Sequence, residues 1–168
     1  MATDVTLIGI TGTEDPLREG VGEAVAKCKN AGVRVTMCTG DNVLTAWSVA
    51  QQCNIYTPDG IIMKGPHFRM LSPDVMKAIT PQLQVLARSL PGDKRMLVET
   101  LKDRGDIIGV TGDGTNDGPA LKAAHVGFSL GVTRTEVAKE ASDIILTDDN
   151  FSLIVQAIMW GHCVNDAV

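Results

Sequence analysis

Short apolar runs that end in glycine- and aspartate-bearing loops, each followed by a helix-length amphipathic stretch, recur along this chain. Val33-Arg34-Val35-Thr36-Met37-Cys38 leads into Thr39-Gly40-Asp41 and then a helical stretch from Val43 to Cys53. Ile107-Ile108-Gly109-Val110 leads into Thr111-Gly112-Asp113 and then a helix-forming run around Pro119-Ala120-Leu121-Lys122. Strand, loop and helix in repeated alternation imply an α/β fold, a parallel sheet covered by helices. In open sheets of this kind ligands bind beyond the carboxyl ends of the strands, which is where Asp41 falls.

The remaining segments extend the alternation. Val5 to Ile10 reads as a strand. Arg18 to Asn30 reads as a helix with Val21, Ala24, Val25 and Cys28 on one face, stopped by Gly32. Gly60 to Met63 is a short strand, after which Pro66, Pro73 and Pro81 punctuate a less regular region with a brief helix at Asp74 to Ile79. Val85 to Arg88 is a strand, and Asp93 to Arg104 a helix with Leu97, Val98 and Leu101 inward. Val126 to Ser129 and Asp143 to Leu146 are strands, and Phe151 to Cys163 is an amphipathic helix through Phe151, Ile154, Val155 and Ile158. Trp47 and Trp160 read as core or domain-contact residues. No linker or repeat divides the chain, so residues 1–168 are expected to form one domain.

The loop from Val110 to Lys122 carries the clearest chemistry. It holds the carboxylates Asp113 and Asp117 four residues apart, with Gly112, Gly114 and Gly118 and the amide of Asn116. Glycines allow tight turns and close backbone approach to a ligand. Carboxylate oxygens are the hard ligands that Mg²⁺ takes, with a substrate phosphate completing its shell. Pro119 suits a first helical turn, and that turn's free N–H groups face an anion. Asp113 therefore reads as a Mg²⁺ ligand. Asp117 has two readings, a metal-site residue or the N-cap of the helix that follows.

Composition excludes several classes. Net charge is −5, from 15 basic and 20 acidic residues, and no basic cluster exceeds Lys94-Arg95, so the concentrated cationic face that nucleic acid requires is missing. No window approaches the roughly 18 consecutive apolar residues of a membrane helix. Met1-Ala2-Thr3-Asp4 has neither the basic start nor the apolar core of a signal peptide. Cys28, Cys38, Cys53 and Cys163 are widely spaced and read as reduced core or near-core thiols rather than a metal or redox motif. His67, His125 and His162 share no metal-ligand spacing and read as structural or exposed.

Taken together, Thr111-Gly112-Asp113-Gly114-Thr115-Asn116-Asp117-Gly118-Pro119-Ala120-Leu121-Lys122 resembles the metal loop of the P-type ATPases, cation pumps of the haloacid dehalogenase superfamily. Gly118 stands where that family usually has Ala. Asp15-Pro16-Leu17-Arg18, Thr39-Gly40-Asp41-Asn42 and Leu90-Pro91-Gly92-Asp93-Lys94 are similar to three further motifs of the family, in the same order, across nearly the whole chain. The stretches Thr135 to Phe151 and Trp160 to Val168 look most like plasma-membrane and fungal vacuolar-type calcium pumps. Thr147 there replaces the usual Met, and His162 stands where calcium pumps usually carry Arg.

The resemblance implies a three-layer Rossmann-like sheet and roles for named residues. The Thr39 hydroxyl and the N–H groups of Gly40 and Asp41 would hold phosphoryl oxygens. Lys94 would offset phosphate charge, Arg88 would contact the nucleotide, and Asn116 would join the ATP site. Asp15 and Arg18 either help to position nucleotide or simply start a helix. Mg²⁺ and ATP are the implied cofactor and substrate. The implied partners are the nucleotide-binding, actuator and membrane domains of a parent pump, with this segment on the cytoplasmic face of its membrane.

The same resemblance marks what is missing. The family's nucleophilic aspartate opens an Asp-Lys-Thr-Gly-Thr motif that does not occur between Met1 and Val168, so the chain by itself is expected to be inactive. In the family that strand lies between those ending in Thr39-Gly40-Asp41 and Thr111-Gly112-Asp113. Its absence would leave two inner edges unpaired, and three closures are expected: the flanking strands moving together, Val5 to Ile10 entering the slot, or self-association. Two other functions stay open: a free-standing non-catalytic protein acting through partner binding, and a stand-alone phosphatase, which the absent nucleophile strand weakens.

Overall fold

The computed structural model describes residues 6, 8–9, 11, 16–112, 115–130, 136–147 and 151–167. The expected alternation is present, and among the described residues its strands pair as two parallel sheets. In chain order the elements are α1 (Val21–Asn30), β1 (Met37–Cys38), α2 (Val43–Gln52), β2 (Ile61–Lys64), α3 (Gly65–Arg69), α4 (Pro73–Ile79), β3 (Leu83–Ala87) and α5 (Pro91–Lys102). Then follow β4 (Gly109–Gly112), a 3₁₀ turn (Thr115–Asp117), α6 (Gly118–Ala123), β5 (Val126–Leu130), α7 (Glu136–Glu140), β6 (Ile144–Leu146) and α8 (Ser152–Ala167). The first sheet has the order β1-β3-β2 and the second β4-β5-β6, and every pairing is parallel.

Boundary shifts have local causes. α1 starts at Val21 rather than Arg18 because Gly20 takes φ 79°, outside the helical region, and Gly32 at φ 76° ends the segment as expected. The apolar run from Val33 is strand only at Met37 and Cys38, the two residues that pair with Val85 and Leu86 of β3. α3 and α7 fall in stretches with too few periodic residues to announce a helix. Thr6, Ile8 and Gly9, in the segment expected to be the first strand, are not in a strand, and Ile8 is fully exposed. Val5, Leu7 and Ile10 lie outside the described residues. Among those described, therefore, nothing from this segment enters the slot, and β1 and β4 do not pair with each other.

β3 is the centre of the first sheet. Alternation along it sends Val85 and Ala87 to one face, against Val25 of α1 and Ala46 and Ala50 of α2. Leu86 goes to the other face, against Phe68 of α3, Met76 of α4 and Leu97 of α5. α8 packs on α1 through Val155 against Ala24 and Cys28. The second sheet has a smaller buried cluster, Leu121 and Ala141 with Val110 beside them. α5 packs on α6 and joins the two halves, with Lys102 Nζ donating to the Ala123 carbonyl at 2.7 Å. The tryptophans are not core residues: Trp47 and Trp160 are both exposed on their helices. No described helix is long and apolar enough to cross a membrane.

Candidate functional site

Thr39, Gly40 and Asp41 leave the carboxyl end of β1 as a tight loop held by its neighbours. The Thr39 N–H donates to the Leu86 carbonyl at 2.9 Å, and both the Ser89 N–H and its hydroxyl donate to the Thr39 carbonyl at 3.0 Å. The Arg88 N–H donates to the Asp41 carbonyl at 2.9 Å. Within the loop the Thr39 hydroxyl donates to Asp41 Oδ2 at 2.9 Å and accepts from the Asp41 N–H at 3.1 Å. Asn42 then caps α2, its side chain accepting from the Thr45 N–H at 3.0 Å. Gly40 and Asp41 stay exposed at the sheet's carboxyl edge.

Across from this loop, Lys94 in the first turn of α5 meets Asp117, with Nζ to Oδ1 at 2.7 Å. Both side chains are mostly buried, 18% and 15% exposed, so this charge-assisted bond is stronger than a surface pair. Asp117 occupies the N-cap position of α6 but makes no capping bond there. Its backbone is already helical, φ −93° and ψ −15°, whereas a capping side chain needs an extended residue. The cap reading of Asp117 is thus replaced by an ion pair with Lys94. Gly112 permits this arrangement, because a Cβ there would fall on the Asp117 side chain, 2.9 Å from Cγ.

Cys38, the residue before Thr39, ties the two loops together. Burial pushes its thiol up to about 12, the Lys94 ammonium lowers it, and the carboxylates of Asp117 and Asp93 raise it again. A thiol so placed is protonated at neutral pH and is not a nucleophile. The charges of Lys94 and Asp117 are thus felt at the end of β1, beside the Thr39 loop. Arg88 is exposed in the left-handed region at φ 51°. Asn116 is exposed in the 3₁₀ turn. Asp113, Gly114 and Asp15 lie outside the described residues.

A family model described as haloacid dehalogenase-like hydrolase matches residues 2–125. The chain belongs to the haloacid dehalogenase-like hydrolases. Its parallel strands, with Thr39 and Asp117 at their carboxyl ends, agree with that membership. The chain is also similar to calcium pumps. It is 67% identical over 168 residues to calcium-transporting ATPase 2 of Cryptococcus neoformans var. grubii, a match covering 100% of this chain and 12% of that relative. It is 60% identical over 166 residues to calcium-transporting ATPase 2 of Schizosaccharomyces pombe, covering 99% and 13%. Against plasma membrane calcium-transporting ATPase 4 of Bos taurus it is 50% identical over 181 residues, covering 99% and 15%. The chain is therefore homologous to one segment of larger calcium-transporting ATPases and spans 12% to 15% of these relatives' length.

Sequence reasoning gave no role of its own to the fully buried Asp93 beside Lys94. Asp93 Oδ2 accepts from the Leu90 N–H at 2.8 Å at the start of α5, and Oδ1 meets Arg69 Nε of α3 at 2.7 Å. Gly65 opens α3 hard against this pair: a Cβ there would fall on Asp93 Oδ2 and lie 2.7 Å from the Arg88 carbonyl oxygen. The signal available was Pro91-Gly92-Asp93, an acidic residue at the third position of a proline-started helix. Asp93 fixes the turn that carries Lys94. Among the described residues no three His, Cys, Asp or Glu side chains cluster. Asp117 nonetheless offers a hard oxygen donor of the type that Mg²⁺ accepts, with Asp113 four residues before it in the sequence.

Proposed function

We propose that this chain serves as part of the phosphorylation domain of a calcium-transporting P-type ATPase, and that the aspartate it helps to phosphorylate belongs to another part of that pump. The contact of Lys94 with Asp117 at 2.7 Å, beside the Thr39 loop, carries this reading. It brings a fixed cation, a carboxylate and a hydroxyl-glycine turn to one end of the sheets. Phosphoryl transfer needs chiefly positioning and charge stabilisation. The Thr39 hydroxyl and the N–H groups of Gly40 and Asp41 hold the transferred phosphoryl oxygens. Lys94 neutralises charge that grows on those oxygens, and Asp117 keeps its ammonium aimed until phosphate arrives. Arg88 and Asn116 face the ATP. Asp113 and Asp117 would hold Mg²⁺, which supplies further charge neutralisation when bound.

Replacing the homologous segment of the 67%-identical Cryptococcus pump with residues 1–168 tests the proposal. The graft is expected to form an acid-stable, hydroxylamine-sensitive phosphate from ATP, and Lys94→Ala should slow that step by about 10²–10³-fold. A folded graft that takes up no phosphate, or one indifferent to Lys94→Ala, would overturn it. The isolated chain should carry no such label and no ATPase activity above background. The β1 and β4 edges, unpaired among the described residues, should associate with a second copy. Sedimentation showing a monomer at every concentration would end that part of the proposal.

A further inference from the structure

Ser129 of β5 is 0% exposed, and its hydroxyl makes no hydrogen bond among the described residues. A buried polar atom left unpaired costs stability, and in native proteins such an atom commonly answers to a water, an ion or a chemical role. The place of Ser129 narrows that choice. It pairs in register with Gly112 of β4, as Gly127 pairs with Val110. Register partners in a parallel pair, and residues two apart on one strand, share a face of the sheet, so Val110, Gly112, Gly127 and Ser129 all face the same way. α6 covers that face: Leu121 packs with Val110, and a Cβ on Gly127 would lie 3.1 Å from the Leu121 carbonyl oxygen. Asp117, the residue before α6, covers the carboxyl end of the same face, where a Cβ on Gly112 would lie 3.0 Å from Asp117 Oδ2. Asp117 thus turns Oδ1 to Lys94 and Oδ2 to the sheet, over the strand position paired with Ser129.

We propose that Ser129 is a positioning residue for Mg²⁺, its hydroxyl donating to the sheet-facing oxygen of Asp117 when the metal is bound. This rests on the reading of Asp117 as a metal-site residue and deepens it. A carboxylate that ligates a metal is itself held by a hydrogen bond, and losing such support typically lowers metal affinity about 10- to 100-fold. Lys94 is poorly suited to that task, because its ammonium adds positive charge beside the cation. A hydroxyl supports the carboxylate without charge, and one that water does not reach gives up no solvent bond to do so. The metal-free fold lacks the bond and carries the cost of the orphaned hydroxyl; metal binding relieves that cost. Removing the hydroxyl should therefore move stability and Mg²⁺ affinity in opposite directions, which a merely structural serine would not do.

The test uses the whole chain with MgCl₂ alone as the probe, followed by amide shifts at Gly112 and at Thr115 to Asp117. Ser129→Ala should raise the Mg²⁺ dissociation constant about tenfold or more, while its urea midpoint in EDTA stays unchanged or rises. Asp117→Asn should weaken binding at least as strongly, and it separates the role of Ser129 from the reading beneath it. Weakened binding in Asp117→Asn with wild-type affinity in Ser129→Ala would overturn the role of Ser129 and leave Asp117 in the metal site. No Mg²⁺-dependent shift in the wild-type chain, or the same shifts at the same concentrations in Asp117→Asn, would overturn both. A lower urea midpoint for Ser129→Ala in EDTA would show that the hydroxyl is already bonded in the metal-free fold, and the proposal would fall with it.

Discussion

The two sheets of this molecule have the same strand count and sense but very different support. In the first, β3 has Leu83, Val85, Leu86 and Ala87 all buried, and helices cover both faces through two separate core clusters. In the second, β5 is buried at Phe128 and Ser129, but β6 leaves Ile144 and Ile145 38% and 48% exposed and the core cluster is small. Apolar burial at about 25 cal/mol per Å² therefore favours the first sheet strongly. The candidate site draws Thr39 and Lys94 from the well-packed half and Asp117 from the thin one. The better-packed half thus presents the cation, and the thinner half presents the carboxylate paired with it.

Removing the anchor of the rigid half should have the largest effect. Asp93→Ala strips Arg69 and the Leu90 N–H of their partner, and loss of one member of a buried pair costs about 3–5 kcal/mol. The low end is expected because Arg69 is 39% exposed. Urea unfolding would read this, and a loss under about 1 kcal/mol would deny Asp93 its anchoring role. Gly65→Val should be comparably damaging, since the Arg88 and Ser89 backbone cannot move away.

Hydrogen exchange tests the comparison directly. Amides of β3 should open only with global unfolding, whereas those of β5 should open at a free energy lower by about 2 kcal/mol or more. Equal protection would show that α5 against α6 couples the sheets into one unit. Lys94→Ala should cost about 1.5–3 kcal/mol, the scale of a hydrogen bond to a charged group, and should raise exchange in β4 and the 3₁₀ turn more than in β3.

Two smaller effects run through single side chains. The Ser129 hydroxyl is buried without a hydrogen-bond partner among the described residues, so Ser129→Ala should be neutral or stabilise by up to about 1 kcal/mol. Cys38 tests the alkaline limb. Its thiol has a folded value of about 12 against an ordinary 9.0; the fold binds the proton more tightly than the unfolded chain. That contribution is complete below pH 9 and is lost as pH rises toward 12. Cys38→Ala should flatten the fall in stability across that window, and an unchanged slope would assign it to other groups.

Much of the site was legible because its chemistry is local in sequence. Thr39-Gly40-Asp41 needs only a strand, a glycine and a helix start, and the loop ending at Asp117 needs only glycines and carboxylates after an apolar run. Asp117 was misread in one role because N-capping depends on backbone angles, which residue identity does not fix. Asp93, Arg69 and Gly65 were passed over because their importance lies in contact across 24 and 28 positions of chain. Trp47 and Trp160 were read as core or domain-contact residues, and the core alternative fails because which face of a helix is covered depends on what packs there.

By itself, the sequence determined the alternation of strands and helices, because hydrophobic periodicity and glycine or proline punctuation act within a few residues. It also determined which residue types sit at the strand ends. Only the tertiary structure decided that the described strands group as two three-stranded sheets, that the apolar run before Thr39 is strand at Met37 and Cys38 alone, and that Lys94 is held by Asp117. Each of those depends on a partner distant in the chain. A strand exists only where another backbone accepts its hydrogen bonds, and a buried charge is tolerated only where an opposite charge is brought to it.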